Sequence, residues 1–144
     1  EECRAILWRG TSGVLAVSGD DGYPYGLPID YWYDEIENRI YFHGAKEGHK
    51  LDAIKKCNKV SFCTYDKGYR KDGEWPLYIN SVIVFGKISI VNDNEKIIEI
   101  CKNLCYKFTD DENYVADELE KAGNRVCCLE LIPEHISGKL VKER

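Results

Sequence analysis

The run from Leu77 to about Val91 most limits what this chain can become. It is rich in Ile, Val, Tyr and Phe, holds no proline, and predicts the longest strand of the molecule. A long strand cannot stay flat over a small core. Gly86 falls near its middle, where the absence of a Cβ lets the backbone turn sharply. The expectation is a small curled sheet in which this strand rounds a barrel corner.

The remaining segments supply partners for such a sheet. A helix is expected over Glu2–Arg9 and an apolar strand over Gly13–Ser18. Gly19-Asp20-Asp21-Gly22 reads as a hairpin turn, with Asp-Gly providing the positive φ angles that such turns demand. The returning strand, Tyr23 to about Tyr33, alternates with period two: Tyr25, Leu27, Ile29, Tyr31 and Tyr33 take one face, and Gly26, Pro28, Asp30 and Trp32 take the other. Pro24 and Pro28 cannot donate to a ladder, which puts part of this strand at an edge or bulge. A polar turn over Asp34–Asn38 leads into a strand over Arg39–His43, a helix over about Gly48–Cys57 and a strand over Lys59–Tyr65. The loop Asp66–Pro76 carries Trp75. Beyond the long strand, helices are expected over Asn94–Phe108 and Asp111–Ala122. The first has its apolar stripe at Ile97, Ile98, Cys101, Leu104, Cys105 and Phe108, and the second has Gly123 as its C-cap. A final apolar strand over Arg125–Ile132 gives way at Pro133 to a polar tail. The pattern is one α+β domain over residues 1–144, a six-stranded, mostly antiparallel barrel-like sheet with flanking helices.

Composition narrows the function. The 144 residues carry 20 Lys and Arg against 25 Asp and Glu, a net charge of −5, with no basic block. That argues against general nucleic-acid binding. No apolar run reaches the roughly 18 residues of a membrane helix and no secretory signal is visible, so a cytoplasmic protein off the membrane is expected. Seven cysteines without CxxC pairs read as reduced, mostly buried thiols, and no metal site is expected.

The chemistry concentrates in Ile40–Ile54, IYFHGAKEGHKLDAI. A strand ends at His43, Gly44 and Gly48 bracket a turn, and His49 and Lys50 open a helix. Cations at a helix N-terminus oppose its dipole, costing a few tenths of a kcal/mol unless an anion offsets them. From the residues alone two explanations stand: a phosphate resting on free backbone N–H groups, or a solvated and mildly unfavourable helix start.

Three segments in order, Gly22–Asp30 (GYPYGLPID), Ile40–Ile54 and Ser81–Ile88 (SVIVFGKI), carry a resemblance. The chain resembles the FMN-binding split-barrel family, the pyridoxamine 5′-phosphate oxidase-related proteins, with the nitroimidazole-reductase-like branch nearest. Glu134–Lys139 (EHISGK) fits the same branch. The resemblance implies a homodimer with FMN at the subunit interface. Pro28, Ile29, Asp30 and Tyr31 would line the isoalloxazine, and His43, Gly44 and Ala45 would meet the ribityl chain and phosphate oxygens. His49 and Lys50 match an Arg-Lys phosphate clamp, and Ser81 matches a polar flavin contact. Pyridoxamine phosphate oxidases proper have an arginine where this chain reads Leu27-Pro28-Ile29. They also close on an arginine- and histidine-bearing segment absent from Arg125–Pro133. Without those cations a dianionic substrate phosphate has no partners, which argues against vitamin B6 oxidation.

The expected function is therefore an FMN-dependent oxidoreductase reducing a small, flat or electron-poor substrate, with His43 donating a proton to it or orienting it. A nicotinamide donor would dock transiently, since no GxGxxG motif is present. Two alternatives are a non-catalytic flavin store or redox sensor, and a haem-binding split barrel using His43, His49 or His135 as an axial ligand.

Overall fold

The computed structural model describes residues 1–122 and 126–143. Its elements run α1 (Glu2–Arg9), β1 (Ser12–Ser18), β2 (Pro24–Asp30), β3 (Trp32–Asp34), β4 (Arg39–Ala45), α2 (His49–Lys56), β5 (Lys59–Tyr65), β6 (Leu77–Ile90), α3 (Asn94–Tyr106), α4 (Glu112–Ala122) and β7 (Val126–Glu143). The strands form one antiparallel seven-stranded sheet in the order β2-β1-β5-β6-β7-β4-β3.

The two edges of that sheet, β2 and β3, are consecutive in the chain with only Tyr31 between them. The sheet must therefore curl until its edges meet, which closes it into a split barrel. This is the α+β split barrel expected, with seven strands where six were anticipated. The Tyr23–Tyr33 run divides because β2 pairs with β1 while β3 pairs with β4, on the far side of the seam. Tyr31 pins the seam. Its side chain is wholly buried, its hydroxyl donates to the Leu7 carbonyl at 2.7 Å, and its N–H donates to the Thr11 carbonyl at 3.1 Å. The alternation also holds: Leu27 and Ile29 pack on the core that takes in Tyr31 and Tyr33.

The bend in β6 comes from its partner as well as from its glycine. Phe85 pairs with His135 and Gly86 with Pro133, so Glu134 is the extra residue of a bulge. The closing strand thus continues through Pro133 to Glu143, where a polar tail was expected. Proline reads as a strand breaker, but at a bulge its missing N–H is not required, and the first half of β6 offers the rest of the segment a complete ladder. Gly86 meets this strand closely: a Cβ there would lie 2.2 Å from the Ile132 carbonyl oxygen.

Leu15, Val17, Phe42, Phe62, Val82 and Val84 fill the barrel, with Leu7 from α1 and Leu51 and Ile54 from α2 closing over it. A second cluster joins Tyr41 and Cys128 on the sheet to Ile100, Cys101 and Leu104 of α3. Ile98 and Phe108, expected in that stripe, are exposed, and Ile100 takes the core position; the buried set Ile100, Cys101 and Leu104, with Ile97 beside it, follows the i, i+3, i+4 rule more tightly. Cys101, Cys127 and Cys128 are buried and the other four cysteines half-buried. The Asp93 carboxylate caps α3 by accepting from Glu95 N–H, and Asp111 accepts from Asn113 and Tyr114 N–H at the start of α4. The proposed C-cap Gly123, and Arg125 at the start of the last strand, lie outside the described residues. Among the described residues no helix is long and apolar enough to cross a membrane.

Candidate functional site

Strand β4 sends Ile40 and Phe42 into the core and leaves His43 exposed at its end. The following turn reaches α2 through Gly48, whose φ of +143° is one that side-chain-bearing residues rarely adopt. No side chain caps α2, so its first N–H groups keep their hydrogen-bonding capacity.

Lys50, in the first turn of α2, folds back onto β4. A Cβ on Gly44 would lie 2.5 Å from its Nζ, so the ammonium occupies the space that only glycine leaves at this position. Among the described residues no carboxylate lies within ion-pair distance of Lys50. Lys46 and Lys55 stand nearby. Burial pushes the Cys127 thiol up, and Lys50, Lys46 and Lys55 together oppose that rise beside the Gly44–Cys127 strand pair. An uncapped helix start and an unpaired ammonium over a glycine make a cradle for an oxyanion. Ala45 forms the last position of β4 and offers its backbone to the same turn.

His49 is drawn away from this cradle. Its Nδ1 lies 3.9 Å from an Asp20 carboxylate oxygen, and its ring meets Tyr25 edge-on at 4.6 Å. Asp20 also takes Lys56 at 3.9 Å. The cations expected to act as a pair are therefore unequal: among the described residues a carboxylate faces His49 and none comes within ion-pair distance of Lys50. Asp20 lies in the hairpin turn and Tyr25 on β2, a juxtaposition that spacing within Ile40–Ile54 could not show.

His43 sits between charges. Partial desolvation of its ring lowers its pKa, the Lys50 ammonium adds to that, and the Asp30 carboxylate opposes it. Neutral imidazole therefore prevails near neutral pH. A histidine of this kind binds fewer protons folded than unfolded. Its contribution to stability is present above the unfolded value and is lost as pH falls through 6.5 toward the lower folded value. The His43 ring resonances are expected to titrate with a midpoint below 6.5; a midpoint at or above that value in an NMR titration would contradict this arrangement.

The other expected residues fall into a second group. Pro28 lines an open groove of about 800 Å³ with Val14, Cys63 and Tyr65, on the outer face of the sheet beneath α1. Asp30 lies two residues along the same strand, close enough to act on His43, and so connects groove and cradle. Ile29 faces the core, and Tyr31 has neither its hydroxyl nor its N–H to spare. Ser81 is on β6, three strands from β2 across the sheet, roughly 14 Å at ordinary strand spacing. On the side of the cradle, Ser81 pairs with Lys139 whereas His43 and Gly44 pair with Cys128 and Cys127, near the opposite end of β7, so one chain keeps Ser81 apart from the Gly44–Lys50 turn. The loop carrying Trp75 leaves that indole 83% exposed, well away from any core packing.

Residues 1–140 match the family model described as pyridoxamine 5′-phosphate oxidase. The chain belongs to this family. It is a flavin-binding family, and the split barrel and the Ile40–Ile54 turn now stand within it. No functionally curated protein matches the chain by sequence comparison. Among solved structures, a candidate 5-nitroimidazole antibiotic resistance protein from Bacteroides thetaiotaomicron is similar in fold. Its TM-score is 0.80 at 17% identity, over 99% of this chain and 84% of that one. An FAD-binding protein from Mycobacterium smegmatis gives a TM-score of 0.69 at 18% identity, over 99% and 95% of the two chains. A candidate pyridoxamine 5′-phosphate oxidase from Listeria innocua gives 0.67 at 19% identity, over 94% of each. At these identities the likeness is one of fold. Within that family fold, the candidate site of this chain rests on Lys50 without a carboxylate partner among the described residues, on His49 facing Asp20, and on His43 with its pKa lowered by burial.

Proposed function

We propose that this protein binds FMN as a homodimer and acts as an oxidoreductase on small, flat, electron-poor substrates. The observation that carries the reading is the Lys50 ammonium, seated over Gly44 at an uncapped helix start with no carboxylate partner among the described residues. An ammonium so placed destabilises the helix unless an anion joins it, and the phosphate of FMN is such an anion. Lys50 and the first N–H groups of α2 would hold the phosphate, and the Gly44–Ala45 backbone would approach the ribityl chain. The outer side of β2 at Pro28 and Asp30 would face the ring system, along the groove beside Val14 and Cys63. When bound, the flavin supplies the electron transfer, and the protein supplies position and electrostatics. His43, neutral near pH 7 and beside Asp30, is placed to hold or deliver a proton over that ring. A nicotinamide donor would dock transiently on the open flavin face.

The homodimer is supported by the outer face of the sheet. Val14, Cys63 and Ile83 form one transverse row through the β1–β5 and β5–β6 registers, and Ser61, Phe85 and His135 form the next. Val14 is 44% exposed, Ile83 40% and Phe85 52%, a contiguous apolar patch suited to burial against a second copy. Ser81 is on this same face, so a partner copy is the route by which it would reach a flavin.

Two results test this reading. Phe85→Glu is expected to shift the protein from dimer to monomer on a sizing column and to lower FMN affinity with it; a dimer that persists and binds FMN normally would contradict the interface. Bound FMN, once reduced, is expected to pass electrons to nitroaromatic and quinone acceptors faster than free reduced flavin does. Equal rates across the acceptor panel would leave a flavin store or sensor in place of an enzyme.

A further inference from the structure

A second cavity, of about 440 Å³, opens beside the Gly10–Thr11 segment, where the end of α1, the short strand β3 and the end of α3 come together. Four aromatic residues line it, Trp8, Trp32, Tyr33 and Tyr106; Tyr33 is buried, its hydroxyl accepting from Arg4 and donating to Asn38. Trp32 is a rigid wall, stacked on Tyr41 at 5.3 Å with the Lys96 ammonium 5.7 Å above its ring centroid. Trp8, in contrast, is 56% exposed, a large indole left open to solvent at the rim. The Tyr106 hydroxyl donates to Glu112 at 2.9 Å, which fixes that ring from outside the cavity.

The charged groups facing the cavity are of one sign. Arg9 and Lys107 are its charged lining residues, Thr11 and Asn103 add neutral polar groups, and among the described residues no acidic side chain lines it; Arg9 also acts on the Asp66 carboxylate in the neighbouring groove. The Lys107 ammonium lies 4.4 Å from the centroid of the Tyr31 ring and donates to the Gly10 carbonyl. Among the described residues no carboxylate comes within ion-pair distance of it. Two cations and an aromatic lining around a volume of this size match a flat, negatively charged ring compound; the volume falls within the usual range of small-molecule sites. We infer that this cleft is a second ligand site, taking a planar aromatic carboxylate between Trp8, Trp32 and Tyr106 with its anionic end toward Lys107 and Arg9.

The surroundings of Lys107 add a consistent detail. Burial lowers its pKa to about 8, with Asp30 opposing. An arriving carboxylate would favour the protonated amine, so binding should weaken as pH rises through that value. Asp30 acts on both Lys107 and His43, and Arg9 lines both the cleft and the groove at Pro28, which makes the cleft a neighbour of the proposed flavin site; Lys50 and Lys107 are not shared. The inference stands whether or not flavin binds.

Calorimetric titration of the purified full chain with naphthoate tests it, with neutral naphthylmethanol as the comparison. Saturable binding of one naphthoate per chain is expected, with naphthylmethanol weaker by about tenfold or more. Lys107→Met, which keeps the aliphatic stem on Tyr31, and Trp8→Ala, which removes an exposed indole, should each weaken naphthoate by about tenfold. The wild-type loss of affinity between about pH 7 and about pH 9 should vanish in Lys107→Met. Lys50→Ala should leave naphthoate affinity unchanged, and Trp8→Ala should leave FMN affinity unchanged, so failure of one site does not read as failure of the other. Should Lys107→Met not fold, Trp8→Ala and the neutral comparison decide the matter. Absent saturable binding, equal affinity for the neutral compound, or unchanged affinity in the folded variants would overturn the inference.

Discussion

Replacing Lys50 by alanine is expected to weaken FMN binding by about ten- to a hundredfold, the equivalent of losing charge-assisted hydrogen bonds worth roughly 1.5–3 kcal/mol. The same change should leave the melting temperature of the flavin-free protein unaltered or slightly raised. It removes a cation from the positive end of α2, where the charge opposes the dipole by a few tenths of a kcal/mol. Opposite signs for binding and stability separate loss of a ligand contact from loss of fold. Lys56→Ala is the control: that ammonium is exposed at the other end of α2 and faces Asp20, so FMN affinity should not move. His49→Ala should cost much less than Lys50→Ala, because Asp20 already offsets the imidazole. A quenching titration of flavin fluorescence reads all three. A Lys50→Ala protein that binds FMN as tightly as wild type would remove the phosphate cradle from the account.

The largest effect on stability is expected at Gly86. An alanine Cβ there would sit 2.2 Å from the Ile132 carbonyl oxygen and 3.0 Å from the Leu131 side chain. The first of these is backbone in a paired strand and cannot swing aside. Either the β6–β7 ladder opens at its bulge or the core layer under it shifts. Overpacking of this kind costs about 3 kcal/mol, a large share of the roughly 5–15 kcal/mol that holds a domain together. For a chain of this length the melting temperature should fall by roughly 10 °C. Gly26→Ala offers the comparison on β2, where the nearest atom is a Val14 methyl at an ordinary 3.5 Å. It should be close to neutral. Equal melting temperatures for the two variants would mean that Gly86 does not mark the tight corner of the barrel.

Local signals in the sequence resolved most of the elements, and long-range pairing decided what they left open. Asp21 and Gly22 adopt the positive φ values that the hairpin motif demands, at 58° and 80°. Gly86 marked the corner of β6 because a long strand over a small core needs one. The division of the Tyr23–Tyr33 run escaped that reasoning: β2 and β3 differ only in which strand each one pairs with, and the closure of the barrel sets that. Pro133 misled for the complementary reason, since a local rule about missing N–H groups takes no account of a bulge on a distant partner.

The candidate site divides in the same way. His43, Gly44 and Lys50 were legible because the strand, the turn and the helix start that unite them are contiguous. The pairing of His49 with Asp20 was not, since Asp20 comes from a hairpin far back in the chain and lies there only when the sheet has formed. Trp8 and Lys107 gave no sequence signal at all. An exposed indole in a short helix and a lysine at a helix end look unremarkable until α1 and α3 meet across Gly10.

The central claim is that a phosphate group, held by Lys50 at the start of α2, anchors the flavin. Equilibrium binding of FMN measured side by side with riboflavin, which has the same ring and ribityl chain without the phosphate, tests it most directly. FMN should bind at least about tenfold more tightly, with the advantage shrinking as salt is raised. Equal dissociation constants for the two flavins would contradict it.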